Sequence, residues 1–345
     1  MNDAITMNND AIRRKCELLI KNRSLIHDEF KLENGLMSVA AALIYTGSGR
    51  EADVEKLREC RKILKENAGA LSTFRNTFEL ALLSKMALSA DPEKYLEDVM
   101  SVYRWILNGK LVDNPYMILA AALICDRKRQ NEADDIIAKC DELLKLMNKK
   151  HPVLTSSEDI SYAMMLALSD RDTDSIINDM EECRVYLKKT CKISAGSNAI
   201  QGLSEILALT DRDMKASCDR IAGIINLLKE RKIDYGTDYE FPAFGLLADI
   251  DADPESLVDG VIEAEGILKE SGGFKDSAME KEKRLMYAVM LVAQCYGTEP
   301  AATDNNAINA TLEIIKSKQI STMISVITSL TSSLAELVKP DTEEK

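Results

Sequence analysis

Residues 151–189, HPVLTSSEDISYAMMLALSDRDTDSIINDMEECRVYLKK, read as one helical hairpin, and the rest of the chain is read against it. Thr155 and Glu158 stand at capping-box spacing just ahead of an apolar run, where a hydroxyl and a carboxylate satisfy free backbone N–H groups of a first turn. Ile160, Ala163, Met164, Ala167 and Leu168 follow at helical spacing, with few charges before Asp170, which predicts a largely buried helix. A second helix starts after Asp172 or Asp174, acids that suit a positive helix N-terminus. Its Ile176, Ile177, Met180, Cys183 and Leu187 form one apolar stripe, the pattern of an amphipathic outer helix.

The same pairing of an apolar and an amphipathic helix recurs along the chain. After a first helix over 10–30, LMSVAAALIYTG (36–47) precedes DVEKLRECRKILKENAG (53–69). Residues 75–92 pair with 93–109, 114–126 with 133–150, 197–211 with 214–232, and 239–254 with 255–271, while 281–297 supply one more apolar helix. Leucines near the ends of the outer helices (Leu64, Leu107, Leu144, Leu187, Leu228, Leu268) lie 43, 37, 43, 41 and 40 residues apart. Anchors at the ends of the inner helices (Ile44, Leu88, Ile124, Leu168, Leu209, Ile250) give 44, 36, 44, 41 and 41. The two series rise and fall together, as displaced whole units would, and a period near 40 suits two-helix repeats.

The expected fold is therefore all-α: a right-handed α-solenoid of about seven stacked two-helix hairpins, with a closed α/α toroid as the alternative. Residues 1–300 form one helical-repeat domain, 301–338 capping or self-association helices, and 339–345 a disordered tail. Within ISTMISVITSLTSSLAELV (320–338), Ile320, Met323, Ile327, Leu330, Leu334 and Leu337 follow an a/d spacing. That helix is expected to cap the last repeat or to pair with a second copy.

Hydrophobic residues make up 46% of the 345, enough for a sizeable core, whereas aromatics at 5% favour packed helices over a β-sandwich. A formal charge of −13 argues against generic binding to nucleic acid or to an anionic membrane. The opening residues lack the apolar core of a signal peptide, the eight cysteines form no C-x-x-C pair, and no uncharged apolar run reaches membrane-spanning length. A cytoplasmic protein with free thiols is the expectation.

At HPVLTSSEDISYAMMLALSD (151–170), GTDYEFPAFGLLADID (236–251) and KRLMYAVMLVA (283–293) the sequence resembles the domain of unknown function 4003 family, bacterial proteins found mainly in Firmicutes. The likeness covers about residues 10–300 and implies a cytosolic bacterial protein. It brings no activity, ligand or catalytic residue with it.

Chemistry-bearing motifs are scarce. Cys60, Cys140 and Cys183 each stand four residues before a marker leucine, where other units place Tyr103, Ile224 and Ala264, so they read as packing residues. DIDADPESLVDG (249–260) opens like a calcium loop but has Pro254 where glycine is needed and Gly260 where glutamate is needed. Asp253-Pro254-Glu255 reads instead as a cap, a first-turn proline and an acid, as does Asp91-Pro92-Glu93. GSGR (47–50) is a helix-ending turn, and His27 and His151 have no partners at ligand spacing. No catalytic residue, metal site or cofactor is assigned.

One weak pattern remains. Eleven or twelve residues before the inner-helix anchors stand Asn76/Thr77, Ser156/Ser157, Ser197/Asn198 and Asp238/Tyr239, with Asp113 in the third unit. Helix N-termini along one edge could receive an anion, joined by Arg75, Gln201, Glu240 and Arg284. The plainer explanation is N-capping. Arg75, Asn76, Ser156, Asn198, Gln201, Tyr239, Glu240 and Arg284 are thus the candidate ligand-binding residues. The leading functional expectation is a non-catalytic scaffold offering a groove to a protein or peptide. A small-molecule site at those N-termini, in a binding protein or an enzyme, is the alternative.

Overall fold

The computed structural model describes residues 2–296, apart from 32, 70–72, 76, 109–113, 158 and 211, together with 323–327; for 2–9 it describes the backbone only. In chain order its helices are α1 (Asn2–Glu29), α2 (Gly35–Gly47), α3 (Val54–Asn67), α4 (Glu79–Leu88), α5 (Pro92–Asn108), α6 (Tyr116–Asp126) and α7 (Ala133–Lys150). There follow α8 (Asp159–Ala167), α9 (Thr173–Lys189), α10 (Ser197–Leu207), α11 (Met214–Glu230), α12 (Pro254–Lys269) and α13 (Lys281–Tyr296). Among the described residues there is no strand.

The helices fall into two sets. In α2, α6, α8 and α13 nearly every residue is buried, polar ones such as Ser161 and Thr46 included. In α3, α5, α7, α9, α11 and α12 one stripe is buried and the opposite face is charged. Each member of this amphipathic set packs on the next, and the succession returns to its start, because α12 and α13 both pack on α1. Gln294 of α13 donates to the Leu43 carbonyl of α2 at 3.2 Å, and Gly260 of α12 lies so close to Ile12 of α1 that a Cβ would come within 2.8 Å of it. Leu57, Leu64, Val99, Ile106, Leu187 and Leu228 are buried on the stripes, and each such side chain contributes roughly 1.5–3 kcal/mol.

The amphipathic helices begin as the sequence reading requires. Asp53, Asp172, Asp213 and Asp253 cap α3, α9, α11 and α12 by accepting backbone N–H bonds, and Asp91 accepts from Lys94 N at the start of α5. Among the more apolar helices, Asn34 caps α2 by accepting from Leu36 N at 2.8 Å, whereas Phe78 and Gly196, ahead of α4 and α10, make no side-chain cap. At the start of α8, Asp159 Oδ2 accepts from Ser156 N at 2.6 Å and Thr155 Oγ1 donates to the His151 carbonyl, while Glu158, the expected acid of that cap, lies outside the described residues. One local expectation changes. The helix expected over 239–254 is a 3₁₀ segment, Phe241–Leu247. Pro242 brings no N–H to its first turn, and Gly245 presses on α10, where a Cβ would stand 2.6 Å from Ile206 Cγ2.

Basic side chains tie neighbouring units together at the carbonyl ends of the apolar helices. Lys15 reaches the Thr46 carbonyl in the last turn of α2, Arg129 that of Leu168 after α8, and Arg171 that of Ala208 after α10, at 2.8, 2.8 and 2.9 Å. Arg220 of α11 donates to the carbonyls of Leu247 (3.3 Å), Ile250 (2.5 Å) and Ala252. Cations there satisfy carbonyls that a helix end leaves free and oppose the negative end of its dipole. Arg220→Met keeps most of the stem and removes the fork, so it should cost about 1.5–3 kcal/mol, read as a lower urea midpoint at unchanged slope.

All eight cysteines are free, and Cys60, Cys140 and Cys183 are buried on their stripes. No helix among the described residues is long and apolar enough to cross a membrane. Of the C-terminal helix expected over 320–338, residues 323–327 are helical and buried; the remainder of it, and the tail 339–345, lie outside the described residues.

Candidate functional site

Three elements that start along one edge meet around a cavity of about 210 Å³: the entry to α8, the first two turns of α10, and the start of the 3₁₀ segment. Ser156, Ser157 and Asp159 come from the first, Asn198, Gln201 and Glu205 from the second, and Tyr239 and Pro242 from the third. Tyr162, one turn into α8, and Val326 complete the wall. Gly202 lets the last two elements approach, since a Cβ there would meet Pro242 Cγ at 3.0 Å. At ~30 Å³ per molecule the volume suits roughly seven waters, or one small ligand in their place.

The floor of the cavity is a pair of carboxyl groups. Asp159 is 7% exposed and Glu205 fully buried, and a side-chain hydrogen bond joins them. Such a bond needs a proton between two acids, so the pair carries one negative charge rather than two at the pH where it forms. Burial pushes the Asp159 carboxyl up to about 6; the hydrogen bonds from Ser156 N and with Glu205 act in the opposite sense. Glu205 Oε1 also accepts from Gln201 Nε2 at 2.8 Å, one turn away on the same helix. A comparison inside the molecule sets this pair apart. Glu79, the other acid buried within an apolar helix, has its charge met by Arg61 at 2.5 Å. Asp159 and Glu205 are instead joined to each other.

Of the residues singled out in the sequence, the cavity brings together Ser156, Asn198, Gln201 and Tyr239. It does not take in Arg75, Glu240 or Arg284. Arg75 ends a short 3₁₀ turn, Thr73–Arg75, ahead of α4. Glu240 follows Tyr239, is held above the usual carboxylate range by burial, and packs on Gly236. Arg284 is 1% exposed and acts within the fold: its guanidinium meets Glu265 at 2.6 Å, Asp276 at 2.9 Å and the Phe274 carbonyl at 3.0 Å. Asn76 lies outside the described residues.

Asp159, Glu205 and Tyr162 are the residues that sequence reasoning passed over. Asp159 looks like an ordinary first-turn acid, and Glu205 is one charge within SNAIQGLSEILALT. The available signal was the company Glu205 keeps: an acid in an apolar helix is either paired or functional. His151, read as part of a turn between units, meets Glu181 of α9 at 2.6 Å. Among the described residues no group of three or more His, Cys, Asp or Glu side chains could hold a metal ion.

Comparison with protein-family models gives one match, to a family described as protein of unknown function (DUF4003), over residues 22–320. Neither the comparison with curated proteins nor that with solved structures finds a match to this chain.

Proposed function

We propose that this chain, which belongs to the DUF4003 family, closes into an α/α ring that binds a small amine-bearing molecule at the Asp159–Glu205 pair. The packing of α12 and α13 on α1 supports closure, since an open solenoid leaves these contacts unexplained. In this reading the apolar helices form the inner wall and the amphipathic ones the outer wall. Closure also removes the long open groove on which a protein- or peptide-binding scaffold would depend, and no contact or surface favours that role over the cavity.

The observation that carries the ligand class is a buried, mutually hydrogen-bonded acid pair on the floor of a polar cavity. The anion expected at the row of helix N-termini would meet two carboxyl groups there. An ammonium group instead replaces the shared proton, donates hydrogen bonds to both carboxylates, and finds Tyr162 and Tyr239 in the same wall. The overall charge of −13 draws cations toward the protein as strongly as it repels polyanions. Eight free thiols support a cytoplasmic setting.

Thermal-shift titration with methylamine, ethanolamine, short diamines and spermidine, beside glycerol, acetate and phosphate, tests the proposal. One of the amines should raise the melting temperature in a concentration-dependent way that neutral and anionic compounds do not match. Stabilisation by phosphate or acetate with none by any amine would overturn it. Because the cation displaces a proton from a group titrating near 6, affinity should rise as pH rises through about 6 and level off above it. Below that value it should fall by about tenfold per pH unit. Calorimetry in buffers of different ionisation heat would count the proton released.

A further inference from the structure

Residues 323–327, Met-Ile-Ser-Val-Ile, are helical, and every one of them is at most 1% exposed. Successive residues of an α-helix point 100° apart, so five in a row face all round the axis. A helix buried on every side is not lying on a surface. Two of its contacts say where it is. Gln294 of α13, whose amide also holds the Leu43 carbonyl of α2, donates to Met323 Sδ at 3.4 Å. One turn on, Val326 lines the cavity beside Asp159 and Glu205. The segment thus touches α13 where it meets α2 on one side, and on the other it lines the cavity together with α8 and α10. Those pairs stand far apart in the succession of helices, so a segment spanning them occupies the middle of the ring.

We infer that residues 323–327 are an intramolecular plug of the ring, and that Val326 closes the cavity and sets the size of what the acid pair admits. The inference rests on the closed ring proposed above and not on the identity of the ligand. Four of the five side chains are apolar, so the segment is held by burial, and Gln294 supplies a polar tie at Met323. A side chain that reaches the cavity through a separately arriving segment can be withdrawn without dismantling α8 or α10.

The test needs no ligand. Full-length protein is modified with a water-soluble carbodiimide and glycine amide, and peptide mass spectrometry follows Asp159 and Glu205, with fully exposed Asp251 as internal reference. In the unaltered protein both should react far more slowly than Asp251. Val326→Ala should raise both rates by about tenfold and Val326→Ile should restore protection. Ile324→Glu with Ile327→Glu, which expels the segment, should bring both rates close to that of Asp251. Rates unchanged in Val326→Ala, or already equal to Asp251 in the unaltered protein, overturn the inference. If the double variant fails to melt cooperatively, the Val326 pair of variants decides alone. Loss of amine binding in the thermal-shift assay with the labelling pattern intact would remove the proposed ligand and leave the plug standing.

Discussion

Replacing Arg284 by methionine should lower the stability of the protein by roughly 3–5 kcal/mol, the largest single effect we expect from any residue described above. The methionine stem fills much of the space, so the loss is electrostatic. Glu265, itself only 16% exposed, is left as a carboxylate without its partner at 2.6 Å, and the Phe274 carbonyl loses a 3.0 Å donor. Asp276 contributes little, because it is 67% exposed and water replaces the bond. Denaturant melts of Arg284→Met and of Arg284→Met with Glu265→Gln separate the terms. The second change should recover part of the loss by neutralising the stranded acid. A loss under about 1 kcal/mol would mean that the cluster relaxes with water, contrary to its burial. Amine binding by the folded fraction should survive, since Arg284 does not line the cavity.

Asp159→Asn should act in the opposite direction on stability while weakening the proposed amine binding. The folded-state pKa of Asp159, about 6, stands above the value near 3.9 of an unfolded chain. Between those values the native state holds the extra proton, so its contribution is fully present below about 4 and is lost as pH rises through about 6. At pH 8 the ionised carboxyl should therefore cost on the order of 2–3 kcal/mol, a cost that the amide of asparagine does not incur. Asparagine also keeps an oxygen for Ser156 N. We expect the variant to melt higher than the unaltered protein at pH 8 and equally near pH 4, and to bind amines about 30- to 100-fold more weakly. Equal melting at both pH values would show that Asp159 is not held neutral by burial. Glu205→Gln should weaken binding likewise, whereas Glu79→Gln, which disturbs an acid already matched by Arg61, should leave binding unchanged.

The helices were readable in the sequence because burial there is periodic. The apolar runs and leucine markers fall where α2 to α12 lie, and Asp53, Asp91, Asp172, Asp213 and Asp253 announce helix starts that backbone bonds then satisfy. Counting back from the anchors also reached Ser156, Asn198 and Tyr239, since a repeat frame carries position along the axis. The frame carries no information on which of those positions share a hollow and which meet another part of the chain. Arg284 and Glu240 lie within the turns that begin their elements, and a charge at a helix start reads the same whether it meets a ligand or Glu265. Glu205 was hidden for the converse reason: its importance depends on Asp159 reaching it from another helix, which only three-dimensional packing displays. The 3₁₀ segment was misread as a full helix because Gly245 looks like a mild helix weakener in one dimension; its closeness to Ile206 appears only when α10 is in place.

The packing of α1 on α12 and α13 has a consequence for biosynthesis. The stripe carrying Ile12, Cys16, Leu19 and Ile26 leaves the ribosome well before α12, which supplies part of its cover. At translation rates of about 5–20 residues per second the wait is roughly 10–50 s, long compared with local helix formation. During that interval the nascent chain carries an apolar helix without part of its cover. Productive folding is then gated by the completion of synthesis, and synonymous codon changes that slow elongation between α2 and α12 should lower soluble yield while leaving the finished protein as stable as before.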